Sequence, residues 1–310
     1  MKVDGRFAIG VAGVFYGGVT VDASLLSKGG LSILDISFFF LVISIIPLVP
    51  FVASGNILRK MLSASRFLGA YALVNTFILF SQFGSIALGL SPPIVALLLY
   101  TQPIWTVIFG RSLFNEKINT VRLAVIAIAL IGVILVTNPF SIQPSFSNEP
   151  IAELLALLGG VFLSLWIILG KKGRLDNFKD PVELTFAVRS ASCIPIAAIS
   201  FLTLPFGRGL FLGSQGSIYS NLWLLVVFAI FAGTLPDLLF YTGVEKVQSL
   251  QAGVILLLEP VSTAVISAIL MISSLSPLEI FGGALILVSN YLIIRESRSP
   301  TENASPEVLK

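Results

Sequence analysis

Long apolar runs, each closed by charged or turn-forming residues, dominate this chain. Ten are long enough to read as helices: Arg6–Leu26, Ile33–Ala53, Phe67–Leu88, Pro92–Phe114, Val121–Asn138, Ile151–Gly170, Val182–Leu204, Asn221–Val244, Leu250–Ser273 and Pro277–Ile294. A bilayer core about 30 Å thick is spanned by about 20 helical residues rising about 1.5 Å each, and these runs are close to that length. The first run is longer than the apolar core of a secretory signal and reads as an uncleaved helix. The longer polar connections, Pro139–Pro150 and Pro205–Ser220, contain Pro, Gly, Ser and Asn, as loops do. The stretch after Ile294, with Ser299-Pro300 and Ser305-Pro306, reads as a disordered tail.

Composition turns a helical chain into a membrane chain. Of 310 residues, 56% are hydrophobic and only 11% charged, and the mean hydropathy is +0.98. A soluble domain carries about 25% charged residues, so this chain could not cover its own surface in water. Ten spans would take up about two thirds of it, leaving no sizeable soluble domain.

The positions of the charges test the count independently. With the N-terminus inside and the spans alternating, Lys2, Arg6, Arg59, Lys60, Arg66, Arg111, Lys117 and Arg122 fall on the inner side. So do Lys171, Lys172, Arg174, Lys179, Lys246, Arg295, Arg298 and Lys310. Only Lys28 and Arg208 lie outside, and Arg189 lies within a span. Basic residues collect on the cytoplasmic side of membrane proteins, and one helix too many or too few would reverse every later assignment. The expectation is ten helices with both termini cytoplasmic.

A weak internal repeat runs through this pattern. At an offset of about 148 residues, Asp35, Ser37, Phe38 and Pro47 fall on Glu183, Thr185, Phe186 and Pro195. At about 157, Phe83, Leu99, Pro103 and Thr106 fall on Phe240, Leu256, Pro260 and Thr263. Pro47, Pro103, Pro195 and Pro260 are therefore expected kinks in the second and fourth helix of each half. Five spans per half is an odd number, so the halves must be inserted in opposite senses. Inverted repeats mark transporters, with the solute site near the midplane where the repeats meet. The fold class expected is an all-α integral membrane protein of two inverted five-helix repeats. Residues 1–138 form the first, 139–150 an external linker, 151–294 the second and 295–310 a cytoplasmic tail.

These features carry a family resemblance. Leu97-Leu98-Leu99-Tyr100-Thr101-Gln102-Pro103, then Asn115-Glu116-Lys117 and Gly132, resemble the first repeat of EamA-type transporters of the drug/metabolite transporter superfamily. Leu256-Leu257-Leu258-Glu259-Pro260-Val261 and Gly282-Gly283-Ala284-Leu285-Ile286 resemble the second. Arg189 matches the family's arginine early in the second helix of a repeat, and Trp166 its tryptophan in the first. The first half departs with Leu41 for that arginine and Phe15-Tyr16 for that tryptophan, and the second with Ser273-Ser274 where the counterpart of Glu116 is expected. The resemblance implies secondary active transport by alternating access, with export the expected direction. It also implies solutes such as amino acids or nucleobase-like metabolites, with protons as coupling ion.

Ionisable groups inside a membrane cost about 2.5–3.5 kcal/mol on insertion scales and mark function or pairing. Glu259 lies about ten residues, hence about 15 Å, into the ninth helix and precedes a proline. A carboxylate there is placed for proton exchange or for a structural pair. Arg189 with Asp237 or Glu259 would form a charge pair across helices, either structural or open to a substrate carboxylate or phosphate. Mid-span Trp105 and Trp166, with Tyr16, Tyr100, Gln102, Asn75 and Gln82, are the candidate solute pocket; packing is the other role open to the tryptophans. Trp223 and Tyr219 read as interfacial anchors. Glu116, Lys117 and Arg111 read as a charged cap on the inner surface, or as a gate. The glycines, Gly13 and Gly17 among them, read as close-packing positions.

Several classes fall away. The chain has no histidine, and Cys193 is its one cysteine, which removes intrachain disulfides, the usual zinc sites and His-based triads. No metal, cofactor or catalytic residue is expected, and the protein is read as no enzyme. A net charge of +3 does not point to nucleic acid. A G-x-x-x-x-G-K-[ST] phosphate loop is absent from the sequence. The expected partners are a small-molecule solute, the bilayer and protons, in the cell (plasma) membrane. No feature sets an oligomeric state. A passive channel, which needs a continuous polar pore, and a membrane-embedded or lipid-handling enzyme are the competing readings.

Overall fold

The computed structural model describes residues 4–53, 55–88, 90, 92–138, 150–203, 215–270 and 275–296. All but the last residue of the expected linker, and the tail beyond Glu296, lie outside them. Among the described residues every regular element is helical. In chain order they are α1 (Gly5–Lys28), α2 (Ile33–Ile45), α3 (Val49–Val52), α4 (Ile57–Ser63), α5 (Ser65–Ala87), α6 (Pro92–Leu99), α7 (Gln102–Phe114) and α8 (Thr120–Thr137). The second half contributes α9 (Pro150–Lys172), α10 (Pro181–Thr203), α11 (Gln215–Phe228), α12 (Leu235–Val244), α13 (Ser249–Leu256), α14 (Leu258–Ile269) and α15 (Pro277–Glu296). A 3₁₀ turn, Ile46–Leu48, joins α2 to α3, and π-helical turns follow α9 (Gly173–Asn177) and join α11 to α12 (Ala229–Thr234). Eight segments of the described residues are long and apolar enough to cross a membrane, nine if α4 and α5 are one span. Helix α1 carries a shorter apolar stretch, Gly5–Val19.

Several expected single helices are broken, for reasons carried by proline. Its ring lacks the N–H and crowds the carbonyl four residues back. Helix α6 ends at Leu99, four residues before Pro103, and α13 ends at Leu256, four before Pro260. The breaks at Tyr100–Thr101 and Leu257 are thus related by the same offset as the sequence repeat. Pro47 sits in the 3₁₀ turn, whereas α10 runs through Pro195 as an α-helix. Helix α4, set at 82° to α5, was not expected; Leu58 and Leu62 are exposed on it beside Arg59 and Lys60.

Packing crosses the two halves. Helix α1 packs on α12, α13 and α14 of the second half, and α9 on α5, α6 and α7 of the first. Helices α2 with α10, and α8 with α15, complete the scheme. Each pairing has its repeat-related mate, so the bundle has an internal pseudo-two-fold. The two sequence halves are therefore interleaved in space. Glycines allow the closest approaches. A Cβ on Gly17 would lie 2.5 Å from Ser262 Cβ and 2.8 Å from Thr263 N. Gly69 has nothing within 4 Å of that position. Gly17→Ala is expected to lower the thermal unfolding midpoint in detergent. Gly69→Ala should leave it or raise it, since alanine gains about 0.5–1 kcal/mol over glycine in a helix. Equal midpoints for the two would contradict this packing.

One end of the bundle gathers the basic residues. Arg6 Nη1 donates to Ile294 O at 3.4 Å, so the beginning and end of the described chain meet there. Lys60 pairs with Glu183 at 2.6 Å and Arg174 with Glu245 at 2.9 Å at the same end. The largest apolar core, including Tyr71, Val125, Leu184, Phe240 and Leu250, is concentrated toward this basic end. Away from it the core divides. Leu26, Leu31, Ile36, Leu225 and Ala229 form one cluster, and Leu90, Ile94, Val95, Ala152 and Ala156 another.

Candidate functional site

The two helix breaks bring together the first pair of candidate groups. Leaving the helix at Tyr100 and re-entering it at Leu258 sets the Tyr100 hydroxyl near the Glu259 carboxylate, within electrostatic reach of it. Thr101 Oγ1 donates back to Leu98 O at 2.7 Å, closing the end of α6, and accepts from Trp105 Nε1 at 3.3 Å. Trp105 is thereby held beside the break. Gln102 occupies the place in the first repeat that Glu259 occupies in the second, each followed by proline. Its side chain is buried and donates from Nε2 to Thr106 Oγ1 at 2.6 Å, and Thr106 Oγ1 donates to Ser164 Oγ at 2.9 Å. Gln102 therefore belongs to the seam between α7 and α9, not to the Tyr100–Glu259 pair.

A second cluster forms around Asp237 in α12. Arg189 Nε donates to Asp237 Oδ2 at 2.8 Å, and Tyr16 Oη donates to Oδ1 at 2.7 Å. Arg189 Nη2 also reaches Gly233 O at 3.3 Å, a carbonyl within the π-helical turn ahead of α12. The guanidinium lies over the Phe40 ring at 5.1 Å. Of the two acids considered for Arg189, the structure pairs it with Asp237. Both side chains are buried, so each charge depends on the other and on the added hydrogen bonds.

Aromatic rings wall this cluster. Tyr16 and Trp166, at corresponding places in the first helix of each repeat, meet edge to face at 5.8 Å. Trp166 stacks on Phe240 at 4.4 Å. Tyr71 and Tyr241 share a 2.8 Å hydroxyl contact, and Tyr71 Oη donates to Trp166 O at 3.1 Å. Asn75 Nδ2 donates to Ser192 Oγ at 2.8 Å, tying α5 to α10. Tyr16, Trp166, Arg189 and Asp237 are thus brought together, with Asn75 bridging two neighbouring helices. Among the described residues Gln82 joins neither cluster. Sequence reasoning missed Tyr71, Tyr241, Phe40 and Ser192. Tyr71 and Tyr241 lie within four residues of the ends of the runs Phe67–Leu88 and Asn221–Val244, where a tyrosine reads as an interfacial anchor, so position alone passed over them.

The basic end holds a third arrangement. Glu116 accepts from Lys171 Nζ at 2.7 Å, from Ser249 N at 2.7 Å and from Ser249 Oγ at 2.8 Å. The exposed cap expected from Glu116 with Lys117 and Arg111 is replaced by a buried contact with partners far along the chain. Nearby, Arg122 is buried, pairing with Glu296 at 3.1 Å and donating to Gln248 Oε1 at 2.6 Å. Trp223 and Tyr219 are highly exposed on α11. Among the described residues, no cluster of acidic, cysteine or histidine side chains could hold a metal ion.

Similarity to known proteins follows the same division of the chain. A profile of the EamA-like transporter family matches residues 5–138 and again 150–295. A protein of Clostridium kluyveri described as an uncharacterised transporter is 20% identical over 93% of this chain and 92% of its own length. One from Archaeoglobus fulgidus, described in the same words, is 23% identical over 94% of this chain and 97% of its own. A crystal structure superposes with a TM-score of 0.76, covering 95% of this chain and 99% of that one, at 16% identity. That level of identity speaks for the fold alone.

Proposed function

The chain belongs to the EamA-like transporter family, and from that premise we propose that this membrane transporter is a proton-coupled secondary carrier of small metabolites. Amino acids and nucleobase-like compounds are the solute classes proposed, with export as the direction and the plasma membrane as the location. Ten spans fit the meeting of Arg6 with Ile294, because ends on one face need an even number of crossings. The nine segments of sufficient length and α1 make up that number. The basic end is then cytoplasmic, and residues 1–138 and 151–294 are the inverted repeats, joined by 139–150 and followed by the tail 295–310.

One observation carries the reading: the juxtaposition of Glu259 and Tyr100 where both broken helices open, between elements of opposite repeats. Broken helices at a repeat interface are where carriers bind solute and coupling ion. In this proposal Glu259 carries the coupling proton. Tyr100, Trp105, Tyr16, Trp166 and Asn75 provide the aromatic and amide wall for a neutral or zwitterionic solute. Gln102 and Gln82 stand further back, and the Arg189–Asp237 pair holds the wall. Proteoliposomes preloaded at one pH and diluted into another supply the test. With a panel of labelled amino acids and nucleobases, at least one solute should accumulate above equilibrium when the gradient is imposed. Equilibration of every transported solute regardless of gradient would refute coupling, and absence of any movement across a broad panel would count against the solute classes.

A further inference from the structure

Helices α7, α9 and α13 meet along a seam unlike the rest of the interior. Gln102, Thr106 and Gly110 recur every fourth residue on one face of α7, Ser164 and Lys171 lie two turns apart on α9, and Ser249 and Gly253 one turn apart on α13. The seam is polar and narrow. A Cβ on Gly253 would lie 2.5 Å from Gln102 Nε2, and one on Gly110 would lie 2.7 Å from Glu116 Oε2 and 3.4 Å from Ser249 Cβ. Gln102, Thr106 and Ser164 are buried and bonded to one another, so the seam is shut along its length.

Its mouth is closed by charge. Asn115 takes a left-handed conformation, φ 53°, which ends α7 and turns Glu116 back across the bundle. The carboxylate then meets the first N–H of α13, where a helix presents unpaired donors and a positive dipole end. Lys171, at the last turn of α9, closes the triangle and also donates to Val247 O at 2.9 Å. Outside it the surface is an open hollow lined by Arg111, Asn115, Glu116, Lys117 and Ile118. The repeat offset puts Ser273 at the place of Glu116 in the second half. The acid needed for the same lock is thus present at only one of the two repeat-related positions.

We propose that Glu116, with Lys171 and the N-terminus of α13, is the inner gate of a passage that runs between α7, α9 and α13 along Gln102, Thr106 and Ser164. The proposal rests on the alternating-access reading. Opening toward the basic face separates α13 from α7 and α9, which breaks the Glu116 contacts together. The lock lies at the basic end and the core divides at the other, so the closed inner gate is the resting arrangement. Glu116 acts by positioning helices and is not assigned contact with solute.

A reporter at Ser164→Cys in a Cys193→Ser background, labelled with a membrane-impermeant thiol reagent in inside-out vesicles, tests it without any solute. Labelling should be slow with Glu116 intact and rise by about tenfold or more in Glu116→Gln and in Lys171→Met, because weakening a charged lock shifts the closed–open population. Folding is checked by monodispersity in detergent, and Lys171→Met serves should Glu116→Gln fail to fold. Unchanged labelling in a folded variant, even one of lower thermal stability, would overturn the gate and leave Glu116 a packing contact. Faster labelling in a protein that moves no solute would uphold the gate while the transport reading fails. Labelling that stays slow in both folded variants of a protein that does transport would do the reverse.

Discussion

Glu259→Gln protein in proteoliposomes is expected to lose uphill accumulation while retaining solute counterflow. One proton per solute allows at most about tenfold accumulation per unit of pH difference, since a pH unit is worth about 1.4 kcal/mol. The variant should fall to a ratio near unity. The fold should survive the change, because the first repeat already carries Gln102-Pro103 where the second has Glu259-Pro260. Both helices break at the matching place, so an amide before the proline is compatible with this architecture. What the amide lacks is a proton that can leave. Tyr100→Phe makes a useful companion: it removes the hydroxyl near Glu259 but keeps the carboxyl group, so coupling should be altered rather than abolished. Persistent uphill accumulation in Glu259→Gln would remove this residue from the coupling path.

The spans themselves were legible because lipid imposes a length and a composition on each of them. The paired prolines foretold trouble in the fourth and ninth runs. The placement of the breaks at Tyr100 and Leu257 then follows from the carbonyl that each proline leaves without a donor, on Leu99 and Leu256. The charge census placed Arg122, Arg174 and Lys171 at the basic end. It could not foresee that all three are buried, since burial depends on partners such as Glu296, Glu245 and Glu116. Tyr16 and Asp237 illustrate the same limit: both were singled out, yet 221 positions separate them and their 2.7 Å contact exists only after folding. A periodic pattern reports which face of a helix is apolar, not which helix will cover it. The interleaving of α1 with the second half and α9 with the first is therefore a property of assembly that local sequence does not encode.

That interleaving also bears on how the bundle moves. If α1 travels with α12 and α14, and α9 with α5 and α7, each moving body contains helices from both repeats. Tyr16 and Trp166 then face each other from opposite bodies, and the stack of Trp166 on Phe240 of α12 crosses the same boundary, with the contact of Tyr16 with Asp237 on the α12 side of it. Beside this boundary the Arg189–Asp237 pair is buried, so its loss bears directly on stability.

Arg189→Leu and Asp237→Leu are each expected to destabilise the protein severely, and the double variant far less than either effect doubled. Removing one partner of a buried pair leaves the other charge uncompensated, at a cost of about 3–5 kcal/mol. Replacing both with apolar groups removes the uncompensated charge, and such replacements are often close to neutral. The first repeat supports this expectation, because the places corresponding to Arg189 and Asp237 hold Leu41 and Phe80. Tyr16 is the complication. Its hydroxyl donates to Asp237 Oδ1, so the double variant strands a buried phenol, and adding Tyr16→Phe should recover a further part of the loss. Thermal unfolding in a single detergent ranks the set: both single variants lowest, the double above them, the triple above the double and nearest the parent. A double variant no better than the worse single would mean that Arg189 and Asp237 are not energetically coupled. A double variant that stays folded yet transports nothing, while Tyr16→Phe alone still transports, would move the pair from scaffold to pathway, with the guanidinium as the group that meets solute.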